Sequence, residues 1–139
     1  MTAEHRAQGA EPSSPQQELR PEPGKKSFRN LKAWQRSIEL SVCIYRLTGD
    51  FPREEAYGLT SQLRRSSVSI ASNLAEGYGR ASKGEYRQFV GIARGSVLEL
   101  QTQLVMARAL GFGKEAILRA AENLAEEVGK MTWALMQKL

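Results

Sequence analysis

The sequence has one cysteine, Cys43, and one histidine, His5, among its 139 residues. A single cysteine cannot close an internal disulfide, and one cysteine with one histidine cannot supply the four ligands of a structural zinc site. A helical di-iron site needs at least two histidines, so it is excluded as well. These absences argue against an enzyme that relies on imidazole or a metal, and we expect no cofactor.

Long apolar runs are also missing, because no stretch reaches the roughly 18 apolar residues of a membrane-spanning helix. Residues 1–27 hold four of the five prolines and no apolar segment that could serve as a signal peptide. Such a composition buries too little apolar surface to offset the entropy of ordering. We therefore expect a disordered leader over 1–27, one folded domain over 28–139, no membrane partner and a cytoplasmic location.

Charge is distributed unevenly over the folded part. Residues 28–98 contain eleven Lys or Arg against six Asp or Glu, whereas residues 99–139 contain five of each. The net charge of +5 therefore resides in residues 28–98. A local positive excess favours an anionic partner, nucleic acid first, and a merely solvated basic surface is an equally good interpretation.

Apolar residues recur with helical spacing over almost the whole folded part, and no segment alternates with the period of a strand. The pattern predicts four helices. The first runs from Asn30 to a stop at Gly49, and the second from about Tyr57 to Glu76. The third begins at a Ser82–Glu85 capping box and continues as a heptad seam from Tyr86 to Ala107. The fourth has a heptad seam of Ile117, Ala121, Leu124, Val128, Met131 and Leu135. Short connections make successive helices antiparallel neighbours. We expect an all-α, up-down-up-down four-helix bundle.

Small residues lie away from the main apolar stripe of the second and third predicted helices. Glycine within a helix costs about 1 kcal/mol relative to alanine, which makes sense where another backbone comes close. We therefore expect self-association through Val68, Ala71, Ala75, Gly91 and Gly95. The alternative is that these small residues are only tolerated.

No catalytic constellation is evident. Three serines of the second helix, Ser66, Ser67 and Ser69, have no base at helical spacing. Cys43 falls on the polar side of the first helix, with only arginines nearby to activate it. The Gly77-Tyr78-Gly79 stretch follows a helix rather than a strand, so it indicates a helix end and not a phosphate loop. We expect no enzymatic activity.

Basic residues of the second and third helices are the candidates for phosphate contact: Arg64, Arg65, Arg80, Lys83, Arg87 and Arg94. Guanidinium groups suit bidentate contacts to phosphate. Tyr78 and Tyr86 are close enough in sequence to offer stacking surface. The alternative is that these arginines pair with Glu76 and Glu85 or with another subunit.

The folded part resembles the four helix bundle proteins encoded in intervening sequences of bacterial 23S rRNA genes. The matching stretches include Asn30–Gln35, Gln62–Ile70, Ser72–Gly77 and Leu110–Phe112. The resemblance implies an antiparallel four-helix bundle that assembles as a ring-like homopentamer. It also implies a role in binding nucleic acid, RNA above all, and no known enzymatic activity.

A distant relative of that family is the accessory variability protein of diversity-generating retroelements, a basic pentameric bundle that binds RNA and a reverse transcriptase. Two functions therefore stay open at this point. The chain is either a non-enzymatic oligomer that binds nucleic acid, or a protein-interaction scaffold whose ring engages a partner protein such as a reverse transcriptase.

Overall fold

The computed structural model describes residues 27–139, which form four long helices. They are α1 (Lys32–Thr48), α2 (Leu59–Tyr78), α3 (Lys83–Leu110) and α4 (Glu115–Lys138). Short 3-10 turns at Phe28–Asn30 and Arg53–Glu55 precede α1 and α2. The prediction of an all-α four-helix fold is confirmed, and residues 27–139 contain no strand.

The predicted leader lies outside the described residues except for its last position. The Ser27 hydroxyl accepts a hydrogen bond from the Arg29 backbone N–H at 3.1 Å, so Ser27 caps the first 3-10 turn.

Contacts between the helices establish the topology. Along α1 and into the turn after it, Arg36, Cys43 and Asp50 contact Glu127, Ile117 and Lys114, so the partner numbers fall as these numbers rise. The same reversal relates α1 to α2, α2 to α3, and α3 to α4. Each helix is antiparallel to the next, and α4 closes the bundle against α1, as in an up-down-up-down arrangement.

The ends of the helices follow from local chemistry. The Ser82 hydroxyl accepts from the Glu85 backbone N–H at 3.2 Å, which confirms the predicted cap of α3. At the start of α2, the Glu55 carboxylate accepts from the Leu59 N–H at 3.0 Å. Gly113, at φ 84°, makes the turn into α4, and a Cβ there would lie 2.5 Å from Leu47 Cδ1. Only glycine fits that position.

The core lies between all four helices and is built from large aliphatic residues that are almost fully buried, among them Leu40, Ile44, Leu63, Ile70, Leu100 and Leu104. Burial of each such side chain contributes about 1.5–3 kcal/mol. Some buried hydroxyls are satisfied within their own helix, as where Thr132 Oγ1 donates to the Val128 carbonyl at 3.0 Å, and others bond to a neighbouring helix. Within residues 27–139 every buried side-chain polar atom has a hydrogen-bond partner.

The buried seam of α4 agrees with the predicted one only at Ala121 and Val128. Its buried residues are Leu118, Ala121, Ala125, Val128 and Thr132, whereas Ile117, Leu124, Met131 and Leu135 are half-buried at its flank. Small side chains at the centre let α4 approach the core closely, and the larger ones cover its edge. A pattern search that favours the largest residue in each turn selects that edge.

The end of α2 also differs from the prediction. The helix continues through Gly77 to Tyr78, and Gly79 is its C-terminal cap. Gly77 is buried where α2 crosses α3, and a Cβ added to it would lie 2.8 Å from the Phe89 Cβ. Gly77 is therefore a point of close helix packing and not a helix stop.

Candidate nucleic-acid interface

The six basic residues predicted to contact nucleic acid do not form one continuous patch. Arg64 and Arg65 lie near the start of α2, beside the C-terminal end of α1. Arg80, Lys83 and Arg87 lie at the opposite end of the bundle, where α2 ends and α3 begins. At about 1.5 Å of rise per residue, roughly 20 Å of helix separates these two groups. An extended ligand could span both, but a compact one could not.

Arg64 and Arg94 are each held against an aromatic ring of a neighbouring helix. The Arg64 guanidinium carbon lies 4.5 Å from the centroid of the Tyr45 ring, and its Nε donates to the Thr48 hydroxyl at 2.9 Å. The Arg94 guanidinium carbon lies 4.7 Å from the centroid of the Trp133 ring. A cation over an aromatic face is positioned without being neutralised. Both arginines therefore keep their charge for an anion.

Arg80 is the exception among the six, because its Nη2 pairs with Glu76 Oε1 at 2.8 Å. Its guanidinium carbon also lies 4.6 Å from the centroid of the Phe89 ring. The alternative of pairing with Glu76 is thus confirmed for this arginine alone. Glu85 accepts from the Ser82 hydroxyl and pairs with no basic residue of the described chain.

The other five basic residues make no ion pair within residues 27–139. Arg87 Nε donates to the backbone carbonyl of Met136 at 3.3 Å, which adds no opposing charge. Arg65 and Lys83 are exposed. Arg64 and Arg94 contact aromatic rings, which carry no net charge. No carboxylate of residues 27–139 therefore compensates the positive charge of any of the five.

The basic residues after position 98 are placed differently. Four of those five, Arg108, Lys114, Arg119 and Lys130, form ion pairs with carboxylates. Arg108 lies 2.9 Å from Glu115 and 2.8 Å from Glu122. Hydrogen bonds from Arg108 hold the pKa of both carboxyls below their usual range, and they raise the pKa of Arg108 itself. Among residues 27–139, the basic residues without an ion pair therefore lie before position 98, with Lys138 as the exception.

Tyr78 and Tyr86, the tyrosines expected to offer stacking surface, pack against each other. Their ring centroids are 5.9 Å apart in an edge-to-face arrangement, and both side chains are half-buried. Burial raises the pKa of the Tyr86 hydroxyl. These rings stabilise the contact between α2 and α3 rather than facing solvent.

Two of the three α2 serines considered above, Ser66 and Ser69, form hydrogen bonds with α3. Ser66 Oγ donates to Gln103 Oε1 at 3.0 Å, and the Ser69 and Ser96 hydroxyls are 2.9 Å apart. These bonds make the packing of α2 on α3 polar along one side. The third serine, Ser67, contacts α1 instead, with its hydroxyl oxygen 3.1 Å from that of Ser41.

The helical spacing predicts Cys43 on the polar side of α1, and this prediction is wrong. Cys43 is half-buried against α4, and its thiol lies 3.7 Å from the Ile117 carbonyl oxygen, to which it donates. Burial raises the pKa of the Cys43 thiol, so the reactive thiolate is disfavoured at neutral pH.

The residues predicted for self-association are dispersed. Val68 is 45% exposed on α2, but Ala71 is only 6% exposed and belongs to the core of its own chain. Ala75 is half-buried against that core. On α3, a Cβ added to Gly91 would lie 3.8 Å from Met136 Cε, whereas one added to the exposed Gly95 would have no atom within 4 Å. Val68 and Gly95 thus remain open to a second chain.

Three exposed aromatic residues are not evident from the sequence pattern: Tyr45, Tyr57 and Trp133. Tyr45 falls on the apolar stripe of the first predicted helix, whereas Trp133 lies outside the predicted seam of the fourth. Their contacts with Arg64 and Arg94 join residues of different helices, which a single-helix projection cannot show. Tyr57 lies just before α2 and is 99% exposed.

Two further findings bear on chemistry. Residues 27–139 contain no group of three or more His, Cys, Asp or Glu side chains arranged to hold a metal ion. None of the helices in this range is both long and apolar enough to cross a membrane.

Comparison with known proteins finds a matching family and a solved structure with a similar fold. Residues 29–134 match the model of a family described as 23S rRNA-intervening sequence protein. A solved structure from Bacteroides thetaiotaomicron, a protein of unknown function from the S23 ribosomal protein family, matches with a TM-score of 0.67. It is 19% identical, and the match covers 75% of this chain and 97% of that one. No curated protein matches the chain.

Proposed function

Since the chain belongs to the family of 23S rRNA-intervening sequence proteins, we propose that it is a non-enzymatic, oligomeric four-helix protein that binds nucleic acid, with RNA as its main ligand. One observation carries this proposal. Five of the six candidate basic residues on α2 and α3 have no carboxylate partner among residues 27–139.

Uncompensated arginines favour phosphate binding for an energetic reason. An arginine already paired with a carboxylate must lose that contact before it binds phosphate, as Arg108 would have to leave Glu115 and Glu122. Arg65, Lys83 and the other three basic residues without a carboxylate partner lose only bound water. Each phosphate they bind also releases counterions from the nucleic acid, which makes the affinity depend on salt.

Self-association is part of the proposal because one chain offers only a few such residues. An oligomer repeats them once per subunit, so contacts that are weak individually add to a useful avidity. A ring requires two different faces that fit each other. Gly95 and Leu98, which are both exposed on α3, lie on one of them. The number of five subunits rests on the family resemblance alone.

No catalytic step is assigned. Cys43 donates its thiol proton to a carbonyl, and the hydroxyls of Ser66, Ser69 and Ser96 are held by one another or by Gln103. These groups hold the helices together.

A protein-interaction scaffold is the second candidate, and exposed apolar residues on α3 favour it. Ile92, Leu98, Val105 and Met106 are each about half exposed or more. A face of that kind suits a partner protein as well as another subunit. If the scaffold is the function, RNA affinity is absent or insensitive to salt.

The test is RNA binding by the full chain, measured by fluorescence anisotropy at low and at physiological salt. We expect binding that weakens steeply with salt. Absence of binding at low salt would favour the scaffold.

A further inference from the structure

Three grooves run between neighbouring helices, and they differ in charge. The α2–α3 groove contains Glu99 opposite Arg65, and the α3–α4 groove contains Glu126 together with Arg94 and Lys130. The groove between α1 and α2 has a volume of about 590 Å³, contains Arg64 and Arg65, and has no carboxylate in its lining. Of the three it is therefore the one that best accommodates an anion.

Aromatic side chains accompany these arginines. Tyr45 lines the groove and is 46% exposed, with the Arg64 guanidinium over its ring. Tyr57 directly follows Ala56, another lining residue, and is 99% exposed. A tyrosine that exposed contributes almost nothing to the packing of the fold, so packing does not explain its position.

Glu55, which lies next to the lining residue Ala56 in the chain, is engaged elsewhere. The Glu55 carboxylate is directed to the start of α2, where it accepts from the Leu59 N–H at 3.0 Å. Thr60 and Ser61 add hydroxyls to the lining. The groove thus offers cations, polar donors and ring faces together.

We propose that the α1–α2 groove binds a single-stranded segment of RNA. Tyr45 and Tyr57 stack on its bases, and Arg64 and Arg65 bind its phosphates. This inference rests on the proposed function and specifies its substrate as single-stranded. In a duplex the bases already stack on each other and are closed to side chains, so ring faces add affinity only for unpaired bases.

A second copy of the chain is the competing occupant, since Val68 also lines this groove. Charge argues against it. Two arginines without a carboxylate partner would be buried in such a contact, and an unpaired buried charge is unfavourable. An RNA strand supplies the opposite charge for both.

The test compares a short labelled single-stranded RNA of mixed sequence with the same RNA annealed to its complement, using the full chain. We expect Tyr45→Ala/Tyr57→Ala to weaken single-strand binding about tenfold or more and to leave duplex binding unchanged. Tyr45→Phe/Tyr57→Phe should retain wild-type affinity, because phenylalanine keeps the stacking ring.

Trp133→Ala is the matched control. Trp133 is 49% exposed and lies under Arg94, as Tyr45 is 46% exposed and lies under Arg64. The control should keep the preference for the single strand. Tyr57→Ala alone changes a side chain that is almost wholly exposed, so it provides a folded variant even if the double variant loses helicity.

Three results would overturn the inference. The first is equal single-strand affinity of Tyr57→Ala, the double variant and the wild type. The second is a wild type that binds duplex as tightly as single strand. In both cases RNA binding itself, and with it the proposed function, would stand. The third is a smaller oligomer with unchanged RNA affinity in the double variant, which would assign the groove to a contact between copies. A wild type that binds neither RNA would instead contradict the proposed function.

Discussion

Gly77 of α2 lies so close to Phe89 of α3 that a Cβ on the glycine would come within 2.8 Å of the Phe89 Cβ. The Tyr86 carbonyl oxygen would be 3.2 Å from the Cβ added to Gly77. Both neighbours belong to the first turns of α3, so the two helices can approach this closely only where α2 has no side chain. The position of Arg80, Lys83 and Arg87 depends on this contact.

Substitution of Gly77 by alanine should therefore destabilise the protein. Alanine gains about 1 kcal/mol in helix propensity, but overpacking against a backbone costs about 1–3 kcal/mol, and we expect a net loss. Gly95→Ala is the control. Nothing lies within 4 Å of its added Cβ, so it should gain about 0.5–1 kcal/mol. Urea unfolding measures both, and a Gly77→Ala variant as stable as Gly95→Ala would contradict the close packing.

Features with a local cause were predictable from the sequence. The Ser82–Glu85 cap and the seam of α3 from Val90 to Ala107 appear in the structure as expected. Both depend on residues within a turn or two of each other.

Features that depend on a second helix were not predictable in the same way. Gly77 looks like a helix end because glycine favours such ends, yet its role is set by Phe89 on another helix. Ala71 looks like part of a second, intermolecular face. In the bundle α2 packs on both α1 and α3, so its buried arc is wider than one stripe, and Ala71 lies within it.

The candidate site was foreseen in composition but not in arrangement. The excess of basic residues before position 98 is visible in the sequence. The separation of five of the six candidates into two groups, and the contact of Arg64 with Tyr45, depend on the relative position of helices. A helical projection gives the direction of each side chain but not the identity of its neighbour.

Acid should weaken the contact between α3 and α4 through Arg108. Its hydrogen bonds lower the pKa of Glu115 and Glu122 from the ordinary 4.5. The folded state then binds these protons more weakly than the unfolded state. The stability gained is thus complete at neutral pH and is lost as the pH falls from about 4.5 through the folded pKa values.

Thermal melting at neutral pH and at about pH 3 measures this effect in the wild type and in Arg108→Gln. We expect the wild type to lose more melting temperature on acidification, because the variant has no such hydrogen bonds to lose. Equal losses would show that the ion pairs of Arg108 do not contribute to stability.

Assembly should depend on the exposed apolar face of α3. Leu98 is 50% exposed, and a charge there would be buried in a subunit contact. We expect Leu98→Asp to reduce the mass measured by light scattering towards the 15.5 kDa of one chain. Ala120→Asp, at an exposed position of α4, should leave the mass unchanged. A wild type that is itself 15.5 kDa at micromolar concentration would contradict self-association.

The central claim is that arginines without carboxylate partners contact phosphate. The direct test is the salt dependence of RNA affinity for the wild type, Arg65→Ala/Arg87→Ala and Arg119→Ala. Arg65 and Arg87 have no ion pair within residues 27–139, whereas Arg119 pairs with Glu115 at 3.0 Å. All three side chains belong to exposed residues, so each variant should keep its helicity and its oligomeric mass.

Each lost contact to single-stranded RNA should lower the slope of log affinity against log salt by about 0.7. We therefore expect a slope about 1.4 units smaller for Arg65→Ala/Arg87→Ala, and a wild-type slope for Arg119→Ala. If the double variant folds, assembles and keeps the wild-type slope, or if Arg119→Ala changes the slope as much, then uncompensated charge does not determine RNA binding and the account is wrong.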